Sequence, residues 1–72
     1  MITREQSREF IAARVNELLD REGKSRYWLA RQLDVSDVRI KNLCDGTHEP
    51  CFSFVVNLAA VFDVPVSHFS ES

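Results

Sequence analysis

The sequence predicts an all-α domain, a compact bundle of five helices joined by short loops. Apolar residues recur at intervals of three and four along most of the chain, which is the spacing of one helix face. Alternating apolar and polar residues, which are typical of a half-buried strand, occur nowhere at useful length. With 72 residues, the chain is expected to form one domain, 1–72.

The first helix is predicted from Thr3 to about Glu22. Thr3 and Gln6 form a capping-box pattern, in which the two side chains satisfy backbone N–H groups at the start of a helix. Gly23 is a suitable residue to end this helix. One face carries the apolar residues, with Phe10 beside Ile11, Val15, Leu18 and Leu19.

Two shorter helices are predicted over 26–33 and 37–44, joined by a tight turn. Ser25 and Ser36 are suitable N-caps because a serine hydroxyl accepts a hydrogen bond from an otherwise unpaired backbone N–H. Asp34 occupies the turn, where aspartate tolerates the left-handed conformation better than most residues other than glycine.

The apolar residues of both short helices lie on one face. This face contains Leu29, Ala30 and Leu33 in one helix and Ile40 and Leu43 in the next, and Gly46 follows as a C-cap. Two helices packed on these faces leave the outer surface of the third helix free, and a helix of that size fits the major groove of DNA.

The fourth helix is predicted over 52–62, and a last turn capped by Ser67 ends near Phe69. Its core face is expected to consist of Phe52, Val55, Leu58, Ala59 and Phe62. The other apolar residues exceed what one buried face needs, which predicts a second buried surface. We expect an isologous homodimer interface formed by Phe54, Val56, Val61, Pro65 and Val66.

Charge is distributed unevenly along the chain, whose net charge is −2. Residues 24–41 hold five lysines and arginines against two aspartates, whereas residues 42–72 hold four acidic residues and no lysine or arginine. The two-helix segment is therefore the part that favours an anionic partner. No apolar run is long enough to span a bilayer or to form a signal peptide, so a cytoplasmic protein without a membrane partner is expected.

The two cysteines are too few for a disulfide framework and are expected to be free thiols. Cys44, His48 and Cys51 supply only three metal ligands at a spacing that matches no common zinc finger, so no metal site is predicted. A redox-sensing pair and two small hydrophobic residues both remain open as interpretations. No nucleophile–base pair, phosphate-binding loop or paired carboxylates stand out, so neither catalysis nor a cofactor is predicted.

The segment from Leu29 to Ile40 resembles the helix-turn-helix domain of phage repressors, Cro proteins and the XRE family of bacterial regulators. It runs Leu-Ala, two polar residues, Leu, Asp, Val-Ser, three further positions and Ile, and Gly46 closes the third helix. Pro50, the Leu58-Ala59 pair and Val64 match the continuation of that pattern. The resemblance covers about residues 15–69 and implies a lambda-repressor-like fold with its helix-turn-helix unit at about 25–46.

This resemblance implies sequence-specific binding of double-stranded DNA by a small transcriptional regulator, a repressor of phage, prophage or plasmid type. The third helix would lie in the major groove, with base contacts from Asp37, Val38, Lys41 and Asn42. Contacts to phosphates would come from Lys24, Arg26, Tyr27, Arg31, Arg39 and Thr47. A homodimer would place two such helices on half-sites about one turn of DNA apart.

Several residues have a second interpretation. Asp37 is also a favourable charge at a helix N-terminus, Arg39 and Lys41 also fit a solvated face, and the Trp28 indole is expected to cover the first helix. The loop Thr47-His48-Glu49 lacks the basic residues usual in the family. Together with the acidic tail, that loop favours an alternative function: a protein-interaction module, such as an antitoxin or antirepressor, that holds a partner on the apolar fourth helix.

Overall fold

Four α-helices and one 3₁₀ turn make up the fold in the computed structural model, which describes residues 4–69. The helices are α1 (Arg4–Glu22), α2 (Arg26–Leu33), α3 (Asp37–Asp45) and α4 (Phe52–Phe62), and the 3₁₀ turn spans Val66–Phe69. No β-strand forms between residues 4 and 69. The all-helical fold is confirmed, but the fifth predicted helix is this 3₁₀ turn. Thr3, of the predicted capping box, lies outside the described residues.

The core lies where all four helices meet. α1 packs against α3, α2 packs against α3 and α4, and the 3₁₀ turn closes onto α1 and α4. The largest fully buried side chains come from every helix, namely Val15, Leu18, Leu29, Ile40, Leu43 and Leu58. No buried side chain in this described part is polar or charged, so the core is held by apolar burial. No helix in it is long and apolar enough to cross a membrane.

Every α-helix ends in the same way, on a residue in the left-handed conformation. Gly23, Asp34, Gly46 and Asp63 all have positive φ. The N–H of the residue that follows each of them donates to the carbonyl five residues earlier, for example Val35 N to Ala30 O at 3.0 Å and Thr47 N to Asn42 O at 3.0 Å. These Schellman motifs satisfy carbonyls that the helix leaves free. The predicted left-handed turn at Asp34 is confirmed, with φ of 56°.

The structure corrects the predicted faces of α4. Phe54 is only 6% exposed and belongs to the core, while Phe52 is 75% exposed. The prediction had these two residues reversed, because a helix that is apolar nearly all round fits more than one buried stripe. Packing selects the row spaced by four residues, Phe54, Leu58 and Phe62, with Ala59 beside it.

The predicted dimer interface is therefore wrong for Phe54, which the protomer itself buries. Val61 and Val66 are half-buried against the protomer's own core, whereas Val56 and Pro65 remain exposed. The exposed apolar surface of α4 is thus centred on Phe52 and Val56, which share one helix face at i and i+4.

We expect Asp34→Gly to raise the free energy of unfolding by about 0.5–1 kcal/mol, because glycine adopts the left-handed conformation without a Cβ penalty. Removing a negative charge from the C-terminal end of α2 adds to this gain. Asp34→Asn separates the two effects, since it removes the charge and keeps the Cβ. Urea unfolding measures both variants, and Asp20→Gly, inside α1, is the control that should not raise stability, because glycine is a poorer helix residue than aspartate. A less stable Asp34→Gly variant would contradict the assigned backbone strain.

Candidate nucleic-acid interface

The exposed face of α3 presents a row of four side chains. Ile40, Leu43 and Cys44 are buried, which fixes the rotation of the helix about its axis. On the opposite side Val38, Lys41, Asn42 and Asp45 follow one another at i, i+3, i+4 and i+7, and all four are exposed. Val38 is 65% exposed although it is apolar. We call these four side chains the α3 outer row.

Both ends of α3 are fixed by hydrogen bonds. Ser36 Oγ accepts from the backbone N–H of Arg39 at 3.2 Å, which confirms its role as the N-cap. At the other end, Asn16 Nδ2 of α1 donates to the carbonyl of Cys44 at 3.0 Å. Gly46 lies against α1 as well, since a Cβ added there would be 3.7 Å from the Cα of Glu9. The α3 outer row is therefore carried on a well-fixed helix.

Three of the cations predicted to contact phosphates rest on aromatic rings. Lys24 Nζ lies 5.3 Å from the centre of the Trp28 ring, and Arg31 donates to the Tyr27 hydroxyl at 3.0 Å. The Arg39 guanidinium lies 4.6 Å from the centre of the Phe54 ring, between α3 and α4. These partners are uncharged, so the contacts orient the three cations without neutralising them.

Arg26 begins α2 beside the N-cap Ser25, whose hydroxyl accepts from the N–H of Trp28 at 3.0 Å. Arg26 is exposed, and its positive charge acts on two groups at the C-terminal end of α3: Asp45, whose pKa is lowered first by the hydrogen bond from Lys41, and Cys44, whose pKa is raised by burial in spite of that charge. The first turn of α2 and the last turn of α3 are therefore close enough to share one electrostatic environment.

Lys41 has a partner within its own helix. Its Nζ lies 2.9 Å from Asp45 Oδ2, and this hydrogen bond lowers the pKa of the Asp45 carboxyl, assisted by the charges of Lys41 and Arg26. Lys41 was predicted to contact a base, whereas Asp45 was not assigned to the site. The i, i+4 spacing of a lysine and an aspartate was the signal in the sequence that would have identified this pair.

The side chains of the loop after α3 contact other parts of the domain. The Thr47 hydroxyl, predicted to contact a phosphate, donates to Asn42 O at 3.2 Å and so helps to close α3. The His48 ring lies edge-on to Phe54 with 6.2 Å between centres, and Glu49 lies 3.8 Å from Arg8 of α1. The loop therefore presents no cation beside the α3 outer row.

The positions of Trp28 and Asp37 bear on two further predictions from the sequence. The Trp28 indole lies against Phe62 of α4, with 6.0 Å between ring centres, and so joins α2 to α4. Trp28 also packs against the core to which α1 contributes, and its expected cover over the first helix stays a prediction. Asp37 is exposed in the first turn of α3, a position compatible with both of its interpretations.

The two cysteines occupy different environments. Cys44 is buried, and burial raises the pKa of its thiol. Cys51 is exposed at the N-cap of α4 with its Sγ 3.2 Å from Ser53 Oγ, and this contact, together with the backbone N–H of Phe54, lowers the pKa of its thiol. Residues 4–69 contain no group of three His, Cys, Asp or Glu side chains arranged to hold a metal ion.

A scan against protein-family models, a search of curated proteins and a search of solved structures each find no match to this chain.

We expect Cys51 to react with iodoacetamide faster than Cys44 at neutral pH, because only the thiolate attacks and Cys51 is both exposed and lowered in pKa. Mass spectrometry of the alkylated peptides over a pH series gives the two rates. Ser53→Ala removes the hydroxyl beside Sγ and should shift the alkylation of Cys51 to higher pH while leaving Cys44 unchanged. Equal rates at the two cysteines in the folded protein would contradict the assigned environments.

Proposed function

We propose that this chain is a small transcriptional regulator of the repressor type, which binds double-stranded DNA sequence-specifically through a helix-turn-helix unit formed by α2 and α3. One observation carries the proposal most directly. The α3 outer row is uncovered by the rest of the described chain, and exposed cations lie on α2 and α3, which pack against each other, whereas residues 42–69 contribute no lysine or arginine.

The chemistry of the α3 outer row suits the edges of base pairs. The Asn42 amide can donate to adenine N7 and accept from adenine N6, and the Val38 methyl groups can pack against a thymine methyl group. Each good base contact is worth about 1–3 kcal/mol of discrimination. Val38 is an exposed apolar residue beside polar ones on α3 and is not part of the protomer's core. It would be buried in a major groove.

Attraction to the phosphates would come mainly from α2. Arg26, Lys24 and Arg31 are exposed on or just before this helix, and none of them forms an ion pair in the described part of the chain. Counterions released from the phosphates supply the sequence-independent part of the affinity. Arg39 can add a further contact from the side of α3, held in position by the Phe54 ring.

A single copy offers few cations, so we propose that DNA is bound by a homodimer. The exposed face of α4 supplies the second surface, because no charged residue lies between Pro50 and Phe62. Two identical uncharged faces meet across a two-fold axis without like-charge repulsion. Phe52 and Val56 would form the centre of this contact, with Pro65 as a further exposed apolar residue close in sequence.

A protein-interaction module is the second candidate function. Two features favour it. Phe52 is an exposed apolar side chain on α4 that a protein partner could bury, and the loop after α3 has no lysine or arginine to contact a phosphate. The two functions differ in their dependence on salt. Apolar docking on α4 is nearly insensitive to salt, whereas DNA binding weakens steeply as salt rises.

We expect Arg26→Ala to weaken binding to every duplex by a similar factor and to reduce the slope of log K against log salt by about one, because it removes one phosphate contact. Asn42→Ala should instead cost about 1–3 kcal/mol on a duplex selected from a random pool and relax specificity at one position. Fluorescence anisotropy of labelled duplexes at several salt concentrations measures both effects.

The control for these variants is Arg14→Gln, which removes a cation of α1 that is paired with Glu17 at 3.5 Å. It should leave DNA affinity and the salt slope close to those of the unmodified protein. Wild-type protein that binds no duplex even at low salt would overturn the proposed function and favour the interaction module.

We expect the protein to sediment as a dimer at micromolar concentration and Phe52→Glu to sediment as a monomer, because the variant sets two carboxylates against each other across the two-fold axis. Tyr27→Ser is the matched control, since Tyr27 is an exposed aromatic residue on α2 outside the α4 face. It should leave the dimer intact. A wild-type protein that remains monomeric would remove α4 as the dimer interface.

A further inference from the structure

The ion pair between Lys41 and Asp45 lies in the C-terminal part of the surface that is proposed to meet DNA. Both residues belong to the α3 outer row, next to Val38 and Asn42, and both are exposed. A carboxylate at this place is unexpected for a surface that binds a polyanion. The Asp45 oxygen is nevertheless held 2.9 Å from Lys41 Nζ, in the geometry of a charge-assisted hydrogen bond.

Asp45 pairs with Lys41 and lies within reach of the positive charge of Arg26. The pKa of its carboxyl is lowered first by the hydrogen bond from Lys41 and also by the charge of Arg26 at the start of α2. Residues 24–41 contain five lysines and arginines, and within the described residues Lys41 is the only one of these five that forms an ion pair. The carboxylate therefore offsets positive charge at the junction between α2 and α3.

We propose that Asp45 is a specificity-determining residue that competes with DNA phosphates for Lys41 and so suppresses binding to random sequence. The inference rests on the proposed DNA-binding function. A phosphate that approaches Lys41 must either displace the Asp45 carboxylate or lie beside it. If it lies beside it, the phosphate and the carboxylate repel each other. Lys41 then releases no counterion from the DNA, and the salt slope is shallower than the number of exposed cations implies.

The ion pair between Lys41 and Asp45 can hydrogen-bond to base edges, although its carboxylate repels phosphates. Guanine O6 and N7 are uncharged acceptors for Lys41, and the cytosine N4 amino group is a donor to a carboxylate. Neither is repelled by Asp45 as a phosphate is. The ion pair therefore lowers the affinity for DNA of random sequence more than the affinity for a matching site. The ratio of the matching-site affinity to the random-sequence affinity rises.

The test is Asp45→Asn, with Asp63→Asn as the matched control. Both substitutions change the net charge by the same amount. Asp63 is an exposed residue at the C-terminal end of α4, outside α2 and α3. Asparagine also tolerates the left-handed conformation that Asp63 adopts. The probes are a labelled duplex of random sequence and a duplex selected from a random pool by the wild-type protein, or by Asp45→Asn if the wild type selects none.

We expect Asp45→Asn to bind the random duplex about five- to tenfold more tightly than Asp63→Asn near 0.1 M salt, with a salt slope steeper by about one. The ratio of affinities for the selected and random duplexes should fall. Adding Lys41→Gln to Asp45→Asn should return both the affinity and the slope towards wild-type values, because the released cation is then gone. Thermal unfolding followed by circular dichroism verifies that every variant is folded.

Equal affinities and slopes for Asp45→Asn and Asp63→Asn, with wild-type binding intact, would overturn the role of Asp45 and leave the proposed function standing. A gain in Asp45→Asn that Lys41→Gln does not reverse would also overturn it, because the gain would then not act through Lys41. Absence of binding to either duplex by every variant would overturn the proposed function and this inference together.

Discussion

The orientation of α3 depends on the burial of one of its faces. Ile40, Leu43 and Cys44 lie in the core, and a helix of nine residues is too short to be stable without such packing. Since neighbouring residues are turned by about 100° around a helix axis, the buried set also determines which side chains face solvent. A shift of one position would bury Lys41 and expose Ile40. The apolar core and the surface proposed to contact DNA are therefore specified by the same residues.

The two helices of the unit differ in their electrostatic character. α3 carries Asp37, Arg39, Lys41 and Asp45, so its own charges cancel, whereas α2 carries Arg26 and Arg31 without an acidic residue. In the proposed function, α2 supplies long-range attraction and α3 supplies discrimination at short range. This arrangement reconciles a net charge of −2 with a polyanionic partner, because screening over about 8 Å makes the local charges decisive.

Much of the fold could be predicted from the sequence because its signals are local. Ser25, Ser36 and Gly46 each stand at a helix end and act there as the sequence predicts, and the buried faces of α2 and α3 follow from apolar spacing. α4 was the exception. With apolar residues on nearly all sides, the spacing gave no preference between Phe52 and Phe54, and the choice depended on contacts with the rest of the core.

Contacts between distant parts of the chain were beyond the reach of local patterns. The stacking of Arg39 on Phe54, the hydrogen bond from Asn16 to Cys44 and the use of the Thr47 hydroxyl to close α3 all depend on how helices and loops meet. The ion pair between Lys41 and Asp45 is different, because its i, i+4 spacing is a local signal in the sequence, although Asp45 was not assigned to the site. The candidate site was thus located from the sequence, and its internal pairings became visible in the three-dimensional arrangement.

The four Schellman helix ends have a consequence for the kinetics of folding. Each end closes on a carbonyl only five residues back along the chain, and each helix is joined to the next by a short connection. Native interactions of this kind give a low relative contact order, and helical domains with that property fold in microseconds to milliseconds. A protomer that opens transiently therefore recovers the α3 outer row rapidly. The persistence of the folded state is then governed by its rate of unfolding, and not by a slow search for the native topology.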